Sequence, residues 1–368
     1  LADPHVTAKG APRQFGLDAL RALAVMLVVI AHGSVLAMPH VVPDRGIVYL
    51  AHLGVELFFV LSGFLVGGLL IDAIGKARPG DPRWIGPFWL RRWLRTLPSY
   101  YLILAANFAL ALALGSGWPA DWPLYLVFSQ NLAWAHPAFF GEAWSLAVEE
   151  WFYLLAPLLA FAALPFIRNA RAATWALVAV LLAGLAVRIA VVLASDPAWD
   201  AGVRKVVVLR LDAIAYGVLM VHLFRSDPRV RINTGRLAIV GIIVSAMAAA
   251  LYFRADIDGD LLARTLMFSL CSLGCALLLP WAAQWQAPSW PRAFKSVWTR
   301  LALWSYAIYL VHMLVLRPML AWLPERASIA AASLQAVLYL ALTLLLAATL
   351  YHGFERPVLR WRDRRVPR

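Results

Sequence analysis

The chain is built around a succession of apolar stretches, each long enough to cross a bilayer. They run over residues 15–37, 48–75, 97–115, 144–167, 172–194, 203–224, 236–253, 261–283, 300–323 and 329–353. At about 1.5 Å of rise per residue, a helix needs ~20 residues to cross the hydrocarbon core. In lipid every backbone group must find its partner within the protein, so such stretches become helices. The expected fold is all-α: a polytopic transmembrane helical bundle of ten spans. A weaker stretch at 124–135 is interrupted by Ser129, Gln130 and Asn131 and flanked by Pro119, Pro123 and Pro137, which suits a re-entrant or interfacial segment. Only 14% of the 368 residues are charged, against roughly 25% in soluble proteins. That excludes an ordinary soluble enzyme, a disordered tail and a nucleic-acid-binding domain, although the net charge is +13.

The basic residues orient the bundle. With the N-terminus in the cytoplasm, ten alternating spans, and basic residues in the first four positions of a span counted with the segment before it, 23 of the 33 Lys and Arg fall on the cytoplasmic side and 6 on the external side. This bias favours both termini inside. Residues 1–14 then form a cytoplasmic N-terminal segment without a signal-peptide pattern. Residues 15–355 form one integral membrane domain, and 356–368 a basic cytoplasmic tail. The expected location is a plasma (inner) membrane, crossed many times, with its lipids as the surrounding partner. Cys271 and Cys275 lie in an apolar run and suit buried small residues.

Charges and imidazoles inside spans are costly and mark functional candidates. Arg21 and His32 lie eleven residues apart on the first span, on one face and about 16 Å apart. Arg21 falls toward the cytoplasm, where Asp18 is placed to neutralise it, and His32 in the outer half. Ser145, Glu149 and Tyr153 share a stripe on the fourth span. Glu149 is expected near the depth of His32, where a carboxylate orients an imidazole. Glu56 enters the second span from outside, among Gly54, Gly63, Gly67 and Gly68, which suit close helix packing or a narrow channel. Arg91, Arg92 and Arg95 are interleaved with Trp89 and Trp93, as a phosphate grip or a headgroup anchor would require. Ser305, Tyr309 and His312 share a stripe on the ninth span, with Tyr306 beside it. The span from 203 holds Arg210 and Asp212. Each of these sets suits either a cavity lining or a tie between helices. The sequence has no Walker A loop, dinucleotide fingerprint, CxxC pair, nucleophile elbow or clustered metal-ligand set.

The order of these segments resembles the acyltransferase-3 family of integral membrane acyltransferases. The matching segments are GLDALRALAVMLVVIAHG, GVELFFVLSGFLVGG, FWLRRWLRTLPSYY, EAWSLAVEEWFYLLAPLL, LRLDAIAYGVL, LALWSYAIYLVHM and FERPVLR, spanning residues 15–361. The resemblance implies transfer of an acyl group, usually acetyl, from cytoplasmic acyl-CoA to a hydroxyl of an extracytoplasmic acceptor, a carbohydrate or lipid-linked glycan. The family's Arg-x10-His motif falls on Arg21 and His32, its Arg-x-x-Arg element on Arg92 and Arg95, and its Ser-Leu-x-x-Glu motif on Ser145 and Glu149. Trp151 replaces the usual Gln of the last motif. Some members append a soluble SGNH domain, whereas this sequence ends shortly after Glu355 and is expected to act alone or to pass its acyl group to a partner.

The implied roles are His32 as general base and Glu149 as its orienting carboxylate. Arg21, Arg92 and Arg95 would hold acetyl-CoA, which serves as acyl-donor substrate with no metal. Glu56, Tyr153, Tyr309 and His312 would contact substrate. Direct transfer and an acyl-enzyme on Tyr153, Tyr309 or Ser145 both remain open. Two other classes stand beside this reading: a proton-coupled secondary transporter using the same groups as a relay, and a non-catalytic partner of a glycan export pathway.

Overall fold

The computed structural model describes residues 14–37, 45–254, 256–287, 289–323 and 328–366. The helices in chain order are α1 (Phe15–Ala37), α2 (Arg45–Lys76), α3 (Ile85–Ala113), α4 (Trp122–Leu126), α5 (Ala143–Ala163), α6 (Ala170–Ser195), α7 (Leu211–Ser226) and α8 (Pro228–Ile232). They continue with α9 (Thr234–Arg254), α10 (Leu261–Arg264), α11 (Leu266–Gln284), α12 (Arg292–Trp322), α13 (Ile329–Leu350) and α14 (Arg356–Arg365). Strands are absent among the described residues. The architecture is the polytopic helical bundle that the apolar stretches predict. Most of the N-terminal segment 1–14 and the last two residues lie outside the described residues.

Among the described residues nine helices are long and apolar enough to cross a membrane. The expected sixth span, 203–224, is different. It is a broken element: a π-helical turn at Trp199–Arg204, a 3-10 turn at Val207–Leu209, then the 16-residue α7. Sixteen residues rise only about 24 Å. The helix begins where Arg210 meets Glu56 of α2, deep in the bundle. The irregular backbone before it is satisfied by the 124–135 segment. Val207 N donates to Asn131 O (2.9 Å), Val208 N to Leu132 O (3.1 Å), and Asn131 Nδ2 to Lys205 O (2.5 Å). That segment begins in the last three residues of the five-residue α4, and is otherwise irregular and packed on the start of α5. Non-helical backbone at this depth survives because protein, not lipid, surrounds it.

Side-chain register fixes the helix directions. Tyr306 Oη donates to Thr96 O (2.8 Å), and eleven residues further along both helices Arg317 Nη1 donates to Asn107 Oδ1 (3.2 Å). Helices α3 and α12 therefore run parallel. Helices α2 and α7 do as well, from the Glu56–Arg210 pair to the Asp72–Arg225 pair (2.6 Å). With each successive long helix reversing the chain, α3 and α12 run parallel only if α7 supplies one of the reversals. The broken segment thus serves as a tenth pass. The N-terminal part of α1 and the helix α14 meet at one end of the bundle, where Arg21 and Arg362 line the same cavity. The basic tail is folded: α14 continues α13 through a π-helical turn at Tyr351–Glu355 and docks on α3.

The glycines of α2 serve packing. A Cβ at Gly63 would lie 1.9 Å from Ile214 O, and one at Gly217 2.1 Å from Val60 O, so α2 and α7 touch backbone to backbone. Gly75, on the same helix, has nothing within 4 Å of such a Cβ. Gly63→Ala is expected to lower the melting temperature in detergent, since overpacking costs roughly 1–3 kcal/mol or more. Gly75→Ala should be neutral or stabilising through helix propensity. Equal melting of the two variants would contradict this packing.

Candidate active site

A cavity of about 1290 Å³ opens at the end of the bundle that carries α14 and penetrates between α1, α2, α3, α5 and α12. It exceeds the roughly 300–1,000 Å³ that suits a drug-sized ligand. Its mouth is cationic. Arg21 reaches it from α1, Arg91, Arg92 and Arg95 from α3, and Arg362 from α14. The three α3 arginines fan over about 100° of helix surface, because residues i, i+1 and i+4 do so at 3.6 residues per turn. Arg92 reaches the α5 wall, its guanidinium 4.3 Å from the centre of the Tyr153 ring. Arg21 also pairs with Asp18 at 3.4 Å.

The inner end is lined by hydroxyls and one carboxylate. Tyr153 Oη donates to Glu149 Oε2 (2.8 Å) and makes a short contact to Ser62 Oγ. Ser145 Oγ and Tyr309 Oη lie 2.6 Å apart, and Tyr309 Oη also reaches Glu142 O (3.0 Å). Ser145, Glu149 and Tyr153 all line the cavity, as their common stripe on α5 predicts. Trp151 donates from Nε1 to Phe128 O (3.0 Å). It ties down a residue held at φ 55°, in the left-handed region.

The histidines stand just past this end. His312 lies one turn along α12 from Tyr309, ring centroids 5.7 Å apart, and His32 faces it at 5.1 Å. His312 is fully buried, whereas His32 keeps accessible surface. His32 Nδ1 is 3.0 Å from Val28 O. A carbonyl can only accept, so the proton sits on Nδ1 and Nε2 presents its lone pair, the state a general base needs. Neither histidine lines the cavity; the Ser145–Tyr309 pair stands between.

Two expectations need correction. Glu149 does not meet His32: its carboxylate is taken by Tyr153, and Arg92, Arg95 and Arg21 are the cations acting on it. Glu56 is not a ligand contact. It is fully buried, paired with Arg210, accepts from Ser272 Oγ (2.6 Å) and has no part in the cavity lining. Arg210 and Asp212 are likewise helix ties. Arg188, also fully buried, binds Asp212 Oδ2 (2.5 Å), Leu209 O (3.0 Å) and Thr265 O (3.1 Å). Ser62, which shares the α2 face of Gly63 and Gly67 that suits packing or a narrow channel, lines the cavity, whereas the contributions of Arg362 and Asp363 escape sequence reasoning. Arg362 and Asp363 have a signal only in the basic run after the last span.

Beyond the histidines, Glu142 at the start of α5 has both carboxylate oxygens without a hydrogen bond, and Arg317 Nη2 lies 3.9 Å away. Burial lifts this carboxyl to about 7, with Arg317 opposing. The folded protein then holds a proton that the unfolded chain releases above about 4.5. Stability is therefore lost as pH rises between these values. Glu142→Gln should raise thermal stability at pH 8, on the order of 3 kcal/mol, and leave it unchanged at pH 4. Melting curves in detergent at the two pH values check this, and an equal effect at both would contradict it.

The fold and this site together define a polytopic membrane protein with a cationic cavity leading to buried hydroxyls and imidazoles. The chain matches the acyltransferase-3 family, described as an acyltransferase domain, over residues 14–352, and so belongs to it. It is 29% identical over 194 residues to YrhL of Bacillus subtilis, covering 48% of this chain and 28% of that protein. It is 27% identical over 171 residues to the peptidoglycan O-acetyltransferase OatA of Listeria monocytogenes (42% and 25%). It is 30% identical over 165 residues to the O-acetyltransferase OatA of Staphylococcus aureus (39% and 24%). The aligned part spans about a quarter of the length of these relatives. No solved structure matches the chain.

Proposed function

We propose that this chain is a membrane-embedded O-acyltransferase. In this reading it takes an acetyl group from acyl-CoA at the arginine-lined mouth and delivers it to a hydroxyl of a glycan approaching from the opposite face. The observation that carries the reading is the continuous order of groups: arginines at the mouth, hydroxyls at the inner end of the cavity, imidazoles immediately beyond. The relatives named O-acetyltransferases support the transferred group and the glycan acceptor. The 23-to-6 charge bias supports a cytoplasmic mouth, where CoA is found.

The chemistry follows from the groups. Arginine forks grip the donor phosphates, and the pantetheine arm carries the thioester inward to Ser145, Tyr153 and Tyr309. The acceptor hydroxyl loses its proton to His32 Nε2 as its oxygen bonds to the thioester carbonyl carbon. A hydroxyl of the inner end donates to the developing oxyanion. The carbon–sulfur bond then breaks, and the thiolate takes up the proton. Glu149 acts on the donor side, balancing Arg92 and fixing Tyr153, rather than on His32.

The test is release of free CoA thiol from acetyl-CoA by the purified protein in nanodiscs, with mass spectrometry of the acceptor glycan from deletion and complemented strains. Thiol release with a loss of glycan acetylation on deletion is expected. Unchanged glycans and no thiol release would overturn the reading.

A further inference from the structure

Resting on the acyl-CoA reading above, we infer that Arg91 and Arg362 form a second phosphate subsite at the cavity mouth, which takes the donor's 3′-phosphate. Arg91 Nη2 donates to Asp363 Oδ1 (2.8 Å), and Arg362 donates to that same oxygen from Nε (3.0 Å) and Nη2 (2.8 Å). Arg362 Nη1 further reaches Arg91 O (3.3 Å), and Arg91 Nη1 reaches Val366 O (2.8 Å). Two guanidiniums thus share one carboxylate oxygen. The set carries a net positive charge and lines the cavity. One carboxylate leaves two forks under-neutralised, which is the environment a dianionic phosphate fills.

The chain of the donor decides which phosphate goes where. In acyl-CoA the diphosphate lies between the pantetheine arm and the ribose, and the 3′-phosphate sits on the ribose beyond it. The group nearer the thioester meets the deeper arginines, Arg92 against Tyr153 with Arg95 beside it. The farther group meets the outer pair, where α14 packs on α3. The helix α14 is therefore part of the donor site. Asp363 competes there for the same forks, so the phosphate displaces a carboxylate, not only water.

The test compares acetyl-CoA with acetyl-3′-dephospho-CoA as donors for the protein in nanodiscs, following thiol release. The native protein should favour acetyl-CoA in KM. In Arg362→Gln, and separately in Arg91→Gln, the KM for acetyl-CoA should rise about tenfold, as for a lost charged hydrogen bond. The preference for the 3′-phosphorylated donor should collapse, with kcat little changed. Asp363→Asn should lower the KM for acetyl-CoA by freeing both forks. A preference that survives in both arginine variants, or an equal KM rise for both donors, would overturn the subsite while leaving the acyl-CoA reading intact. Absence of thiol release by the native protein with either donor would overturn that reading itself.

Discussion

His32→Ala is expected to lower acetyl transfer by roughly 10²–10⁴-fold, the usual contribution of a positioned general base. The melting temperature and detergent elution profile should be unchanged. The expectation rests on the tautomer. With Nδ1 held at 3.0 Å by Val28 O, Nε2 is the only ring nitrogen that can take a proton from an acceptor. The bond to Val28 makes α1 itself the orienting group, in place of the carboxylate that sequence spacing suggested. His32 keeps accessible surface, so the substitution leaves no closed void and should cost little stability. Steady-state kinetics on the folded variant check it. Native-level transfer would remove His32 from the reaction.

Arg210→Met is expected to act on folding, not on chemistry. Arg210 and Glu56 are both fully buried, 154 residues apart in sequence, and their pair marks where α7 begins. Removing one partner leaves a buried charge uncompensated, at a cost of about 3–5 kcal/mol. The helix start is also released from α2, so folded yield should fall sharply. The double variant Glu56→Leu with Arg210→Met leaves no orphaned charge and should recover most of that loss. Fluorescence size-exclusion chromatography and thermal melts read both effects. A double variant no better than Arg210→Met alone would contradict the reading of this pair as a tie. A folded double variant without transfer would return Glu56 to the substrate site.

The spans were legible in the sequence because in lipid a continuous apolar run leaves the backbone no alternative to helix. The exception is instructive. The run from 203 is long enough, but its helix starts only at Leu211, because the backbone before it bonds to Asn131 and Leu132, some 75 residues earlier. No local pattern reports such a partner. Within the site, periodicity correctly grouped residues of one helix: Ser145 with Glu149 and Tyr153, and Arg92 with Arg95. It failed between helices, where tilt and rotation decide. Glu149 and His32 looked matched in depth, yet face different groups. Glu56 looked like a ligand contact because the cation that neutralises it lies on α7. Arg362 joins Arg91 across 271 residues, beyond any spacing rule.

Vectorial transfer is the centre of this account, and oriented proteoliposomes test it most directly. Labelled acetyl-CoA is supplied on the face that carries the arginine-lined mouth, with a glycan acceptor trapped on the other side. Labelled acetyl groups are expected on the trapped glycan, and their loss in His32→Ala. Label reaching the glycan only when donor and acceptor share one compartment would contradict it.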